Sequence, residues 1–236
     1  MSDVEHVTGE VAPQPTTATG TRLPFDDRAH AGRELAKALA HRSRSPGPPV
    51  VLALPRGGVP VAFEVARMLH ATMDVFVVRK LGLPGNEEIA IGAVASGGVR
   101  VLDPLAQGIR PRELEAITGR EQSELARRER AYRGERAPLA VQGRSVVVVD
   151  DGLATGATME AAVRALRRSS PSHLCVAVPV GSRQACHRIA TLVDELVCVA
   201  RPEPFGAVSL WYAHFDQVED TEVCRLLADA WGGHAL

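Results

Sequence analysis

Apolar residues run along this chain in short β-branched blocks separated by amphipathic stretches, a rhythm that predicts strand and helix in alternation. Val146 to Val149 is an unbroken run of valine, too short for a helix and suited to a strand covered on both faces of a parallel sheet. Val50 to Leu54, Asp74 to Val78, Leu174 to Val178 and Glu195 to Val199 read as further strands. Between them the period lengthens. Ala29 to Arg42 places Leu35 and Leu39 on one face and Arg33 and Lys37 elsewhere, before Pro46 to Pro49 stops it. Pro60 to His70 keeps Glu64 and Arg67 on its wet side, and after Thr158 the residues Met159, Val163 and Leu166 share a face opposite Glu160, Arg164 and Arg167. Gln184 to Thr191 and Glu219 to Ala230 complete the helices, the last capped by Asp216 or Asp220. Strand, helix, strand in succession implies right-handed crossovers and an α/β fold: a Rossmann-like, open, mostly parallel sheet flanked by helices.

Three stretches depart from this rhythm. Residues 79–102 carry Arg79, Lys80, several glycines, Pro84 and Glu87-Glu88, then two short β-like runs around Ser96-Gly97-Gly98, which predicts a long flexible loop bearing a hairpin. Residues 111–136 are strongly charged and mostly helical, with Glu124 and Arg128 spaced for pairing and Gly119 at a break point; a solvated helical face is expected. Residues 1–21 are rich in Thr, Pro, Ala and Gly without apolar periodicity and read as a disordered or loosely held tail, leaving residues 22–236 as one domain.

A chain of 236 residues is long enough for one well-buried α/β domain with appendages. Its net charge of -1 argues against electrostatic binding to nucleic acid or to an anionic membrane. No apolar run approaches the ~18 residues of a membrane span and no signal-peptide pattern opens the sequence, so a cytoplasmic protein is expected. Cys175, Cys186, Cys198 and Cys224 show neither a C-x-x-C pair nor metal-ligand spacing, and read as reduced, mostly buried thiols. The eight histidines are scattered and take no role.

The chemistry concentrates at VVVVDDGLATGAT, Val146 to Thr158. The strand delivers Asp150 and Asp151 to the carboxyl edge of the sheet, where ligands bind in open α/β folds. Beyond them Gly152, Ala154 and Gly156 remove bulk while Thr155 and Thr158 add hydroxyls, so that backbone N–H groups of Ala154, Thr155, Gly156, Ala157 and Thr158 and the following helix N-terminus can surround a phosphate. Carboxylates repel a bare phosphate, so the ligand must also offer hydroxyl donors or a metal. A ribose 5-phosphate fits, its 2- and 3-hydroxyls donating to Asp150 and Asp151. Neither G-x-x-x-x-G-K-[ST] nor G-x-G-x-x-G occurs, which disfavours P-loop and dinucleotide sites. An acidic turn closing a core strand, as in receiver-like domains, is the competing reading.

At these residues the chain resembles the type I phosphoribosyltransferases, whose signature for 5-phosphoribosyl 1-diphosphate (PRPP) is an apolar strand, two acids and a loop ending Thr-Gly-x-Thr. The match holds at Asp150, Asp151, Thr155, Gly156 and Thr158; Gly152 and Ala154 depart from commoner choices, and Leu-Ala-Thr-Gly looks more like adenine phosphoribosyltransferase. The R-G-G-V-P turn from Arg56 to Pro60 and the LPGNEEIAIGA stretch look like a widespread bacterial branch of predicted phosphoribosyltransferases.

The resemblance implies a type I phosphoribosyltransferase fold with a flexible loop or hairpin, a small hood, and Mg²⁺ held mainly by the ligand rather than by direct protein ligands. Arg56, Gly57 and Gly58 follow the first core strand where that family holds diphosphate, and their side-chain-free peptides suit such an anion; a plain strand-to-helix turn also accounts for them. Arg79-Lys80 is similar to the Arg-Lys pair that meets the leaving diphosphate in adenine and orotate enzymes, although two solvated charges at a strand end explain it as well. Glu87 and Glu88 lie where adenine enzymes carry loop carboxylates near the base, or are simply exposed acids. The acceptor hood would join Phe25, with Asp26, Asp27 and Arg28, to Phe205, Trp211, Tyr212 and Phe215 in the C-terminal stretch 201–236, unless these aromatics serve the core or a dimer. The implied activity is transfer of the phosphoribosyl group from PRPP to a small nitrogenous acceptor, with a homodimer as the implied assembly. A non-catalytic PRPP- or nucleotide-sensing regulator on the same fold is the alternative.

Overall fold

The structure, a computed structural model, describes residues 22–40 and 48–232. The tail expected at 1–21 lies outside the described residues, as does most of the helix stop expected before Pro49. In chain order the elements are α1 (Arg28–Ala40), β1 (Val50–Ala53), α2 (Gly58–Leu69), β2 (Thr72–Val75), β3 (Val78–Leu83), β4 (Asn86–Ala95), β5 (Val99–Leu102), α3 (Pro111–Arg133), β6 (Ser145–Val149), α4 (Ala157–Arg168), β7 (His173–Val180), α5 (Arg183–Ala190), β8 (Glu195–Ala200) and α6 (Asp220–Gly232).

Strands β2, β1, β6, β7 and β8 lie side by side in that order, every neighbouring pair parallel. Alternate residues feed opposite faces. Val51, Ala53, Val147 and Val149 join residues of α1, α2 and α6, whereas Val50, Leu52, Val146 and Val148 join residues of α4 and α5. The unbroken valine runs therefore arise because both faces of the sheet are covered. From β1 the chain steps outward to β2, then returns to the other side of β1 for β6. Strand order reverses between β1 and β6, and that reversal opens a crevice at their carboxyl ends.

The hairpin expected within residues 79–102 is present and is larger than expected. β3, β4 and β5 form a three-stranded antiparallel sheet, turned by Gly85 (φ 81°) and by Gly97 and Gly98 (φ 79° and 74°). The strand expected over Asp74 to Val78 is split at its origin. Val77 N donates to Ser96 Oγ and Ser96 N to Val77 O, both at 2.9 Å, which hands the chain from the parallel sheet to the antiparallel one.

Helix α3 runs unbroken for 23 residues through Gly119. Burial of Ile117, Leu125 and Tyr132 outweighs the ~1 kcal/mol that one glycine costs a helix. Nor is the segment only a solvated face. Its last residue, Arg133, is buried against Asp74 of β2, with Nε 2.9 Å and 3.1 Å from the two carboxylate oxygens, Nη1 2.6 Å from Glu129, and Nη2 on Val75 O. Leu139 N donates to the same carboxylate at 3.1 Å. One buried ion pair thus fastens the end of α3 and the chain leading to β6 onto the parallel sheet.

Candidate functional site

Ala53 and Val149 are partners in register, so β1 and β6 end level. Just beyond them, on either side of the strand-order reversal, stand Arg56-Gly57-Gly58 and Asp150-Asp151. The two segments touch. A Cβ on Gly57 would lie 2.1 Å from Asp151 Oδ2, and one on Gly58 would lie 2.6 Å from Val149 O. Glycine is required here by the acids themselves, a reason that spacing in the sequence did not reveal. The Pro55–Arg56 peptide is cis.

Asp150 Oδ1 accepts a hydrogen bond from Asp151 N at 2.9 Å. Asp151 Oδ2 accepts from Arg28 Nε at 2.9 Å, in a pair whose side chains are only 12% and 16% exposed. Arg28 is held in turn: Nη1 donates to Asp216 O at 2.7 Å and the guanidinium lies 3.8 Å over the Phe215 ring. Tyr212 donates its hydroxyl to Asp151 O at 2.6 Å. Burial, then the charge of its neighbour, pushes the Asp150 carboxyl well above the usual carboxylate range. Burial also raises Asp151, against the opposing pull of Arg28. The pair resists carrying two negative charges, and an arriving cation or set of hydroxyl donors relieves it.

The loop after the acids is pinned at one end and open at the other. Leu153 N donates to Val180 O at 2.9 Å and Ser182 N to Leu153 O at 2.8 Å, a parallel bridge that ties Leu153 to Gly181 at the end of β7. Ser182 Oγ donates to Ala154 O at 2.7 Å and accepts from Ala185 N at 3.1 Å, so one side chain braces the loop and caps α5. Gly156 (φ 76°) then turns the chain into α4. Ala154, Thr155, Ala157 and Thr158 are exposed. Ala157 N donates to Thr155 Oγ1 at 3.4 Å within the loop; small residues, an exposed loop and a helix start together suit an anion.

The other expected residues are placed differently. Arg56 Nη1 lies 3.8 Å from Asp220 and 3.9 Å from Glu219 at the start of α6. Arg79 does not open a free loop: it is a β3 residue whose Nε and Nη2 reach Glu121 Oε2 of α3 at 3.0 Å and 2.7 Å. Lys80 is exposed on the same strand. Glu87 is an exposed residue of β4 rather than of a loop, 3.7 Å from Arg120 of α3. Glu88 lies in β4, its side chain outside the described residues. The placements of Arg79 and Glu87 follow from the antiparallel sheet, which brings these two residues to α3.

The two ends of the hood do meet. Phe25 N donates to Trp211 O at 2.8 Å, Ala213 N to Phe25 O at 2.7 Å, and the Phe25 and Tyr212 rings sit 5.6 Å apart. Phe25 is 0% and Tyr212 5% exposed, so both brace the hood instead of offering a flat face to an acceptor. Trp211 is half-buried with Nε1 on Phe205 O at 2.9 Å. The sequence reading also missed Arg188 of α5, whose guanidinium donates to Thr155 O and whose Nε lies 3.3 Å from Glu160. Ser182 was legible as a helix cap; nothing in the sequence places Arg188, 33 residues away, beside the loop.

A profile described as "Phosphoribosyl transferase domain" matches residues 26–203. The chain is 46% identical, over 206 residues and 86% of its length, to proteins of two Mycobacterium tuberculosis strains named "Putative phosphoribosyl transferase". It spans only 46% of the length of those relatives. It is also similar to the crystal structure of TT1426 from Thermus thermophilus, at 45% identity and a TM-score of 0.81, covering 88% of this chain and 99% of that one.

Proposed function

Because the chain belongs to the phosphoribosyl transferase domain family, we propose that it moves the 5-phosphoribosyl group of PRPP to a nitrogenous acceptor, a nucleobase, and releases diphosphate. One observation carries this reading. Asp150 and Asp151 stand at the strand-order reversal, directly before an exposed small-residue loop that opens α4, with the Arg56-Gly57-Gly58 turn in contact across the crevice. A ligand with a phosphate at one end, adjacent hydroxyls in the middle and a diphosphate at the other matches that layout.

In this reading Ala154, Thr155, Gly156, Ala157 and Thr158 take the 5-phosphate. Asp150 and Asp151 accept from the ribose hydroxyls, the bond now made by Arg28 passing to the ligand. Arg56, Gly57 and Gly58 face the diphosphate. Two shielded carboxylates raised by burial are a donor set that accommodates Mg²⁺ held chiefly by the ligand's own oxygens. When bound there, Mg²⁺ would screen the charge that develops on the departing diphosphate. The protein fixes both phosphate ends, so that the ribose C1 is presented in line to the acceptor. The phosphoribosyltransferase unit would extend from residue 22 through α6, act in the cytoplasm and pair as a homodimer.

A sensor that keeps the pocket without turnover is favoured by one observation: Arg56 and Arg79, the expected clamp on the leaving group, are engaged by Asp220, Glu219 and Glu121. Diphosphate release measured across purines, pyrimidines and other amines separates the two. Release with any acceptor supports the enzyme; tight PRPP binding with silence over the whole panel supports the sensor.

A further inference from the structure

Two of the four cysteines meet behind the phosphate loop. Cys186 of α5 and Cys198 of β8 converge on Gly181, and the point where a Gly181 Cβ would stand is 2.7 Å from the first sulfur and 3.4 Å from the second. Each thiol shifts the ionisation of the other, while Cys198 donates its own hydrogen to Ala200 O. Cys175 lies in the other apolar cluster, and Cys224 donates to Ala131 O from α6 at 3.2 Å. Cys186 also lines a cavity of about 750 Å³ together with Arg183, His187, Asp194, Glu195 and Arg201, charges of both signs. The neighbouring Cys198 thiol, then the Arg201 charge, lower the Cys186 thiol to about 7 against the cost of its burial, and the same coupling and burial raise Cys198, so Cys186 is the thiol of the pair that ionises first.

We propose that Cys186 and Cys198 form a redox modification site, converted by a low-molecular-weight disulfide into an intramolecular disulfide. The Cys186 thiolate attacks one sulfur of oxidised glutathione, breaking its S–S bond and expelling one glutathione thiolate. Cys198, losing its proton to solvent, then attacks the Cys186 sulfur of the mixed disulfide and expels the second. The two cysteines lose two electrons and the oxidant gains them.

The site has a route to the phosphate loop. Gly181 N donates to Ala200 O at 3.0 Å, and Cys198 Sγ lies 3.1 Å from that same carbonyl. Gly181 carries the bridge to Leu153, and the adjacent Ser182 holds Ala154 O. Drawing the sulfurs to the ~2.05 Å of a disulfide pulls the start of α5 toward β8 and displaces this anchor. This consequence rests on the loop's proposed role in holding phosphate; the disulfide itself does not.

Full-length protein treated with oxidised glutathione should lose about 2 Da, yield a linked Cys186–Cys198 peptide, and revert with dithiothreitol. The change should persist in the Cys175→Ala, Cys224→Ala variant, while Cys198→Ser should stall as a glutathione adduct on Cys186. No mass change, a wild-type adduct that never resolves, or linkage through another cysteine would overturn the site. Affinity for ribose 5-phosphate, read by calorimetry, should fall about tenfold on oxidation and recover on reduction. Unchanged affinity in oxidised protein overturns the link to the loop. Failure of the reduced protein to bind ribose 5-phosphate overturns both the link and the proposed function, with the mass shift still standing.

Discussion

The charged forms of Asp150 and Asp151 oppose folding, because burial and the repulsion between them disfavour ionisation. A carboxyl whose folded pKa is raised binds its proton more tightly when folded. Its contribution is therefore most favourable below the ordinary carboxylate pKa and is lost as pH rises through the raised value. Asp150→Asn keeps an acceptor for Asp151 N while removing a charge, so its unfolding temperature at pH 7 should exceed that of the native chain. The double change Asp150→Asn, Asp151→Asn should weaken Mg²⁺-dependent PRPP binding by about 100-fold, as expected for losing hydrogen bonds to charged acceptors; unchanged affinity in calorimetry would remove the acids from the site. Gly57→Ala tests the crevice from its other wall. The new methyl cannot share space with Asp151 Oδ2 at 2.1 Å, so PRPP affinity should fall while circular dichroism stays native. The acids and the loop were readable because strand, acid pair, glycines and threonines are contiguous. Arg28 was readable as part of the hood but not as the partner of Asp151, and Arg188 was not readable as a site neighbour, since each contact joins segments far apart in the chain.

Among the elements, the parallel strands and their helices were legible within a few residues because burial on both faces leaves apolar runs whose shortness and β-branching mark them as strands. The antiparallel sheet was legible only as a hairpin. Its strands carry glycine and charge, and they are stabilised by packing on α3 and α4 rather than by a strong pattern of their own. The α3 anchor is likewise tertiary. Arg133 looks like one more charge in a charged helix, yet it is 7% exposed against an Asp74 that is 2% exposed. Arg133→Ala should cost about 3–5 kcal/mol by urea denaturation, because Asp74 is left buried and unpaired. Adding Asp74→Ala should recover part of that loss. A loss no greater than that of an exposed arginine would show that the pair is not an anchor.

For the whole molecule, ligand and fold share one free energy. PRPP with Mg²⁺ at 100 times its dissociation constant should stabilise the protein by about 2.7 kcal/mol, read as an upward shift in unfolding temperature that Asp150→Asn, Asp151→Asn abolishes. Since the ligand needs the acids ionised, that shift should grow as pH rises through their raised pKa values and shrink as it falls. A shift independent of pH would detach the acids from the ligand. The order of residues alone settled the α/β class, the strand that presents the acids and the loop that follows them, because each depends on neighbours within a dozen residues whose sizes and polarities are written in sequence. Tertiary packing was needed to establish that strand order reverses between β1 and β6, that Gly57 lies against Asp151, that Arg28 covers the acids and that Arg79 turns to Glu121. Those are meetings of distant segments, chosen by which packing buries the most apolar surface while leaving the fewest charges without a partner.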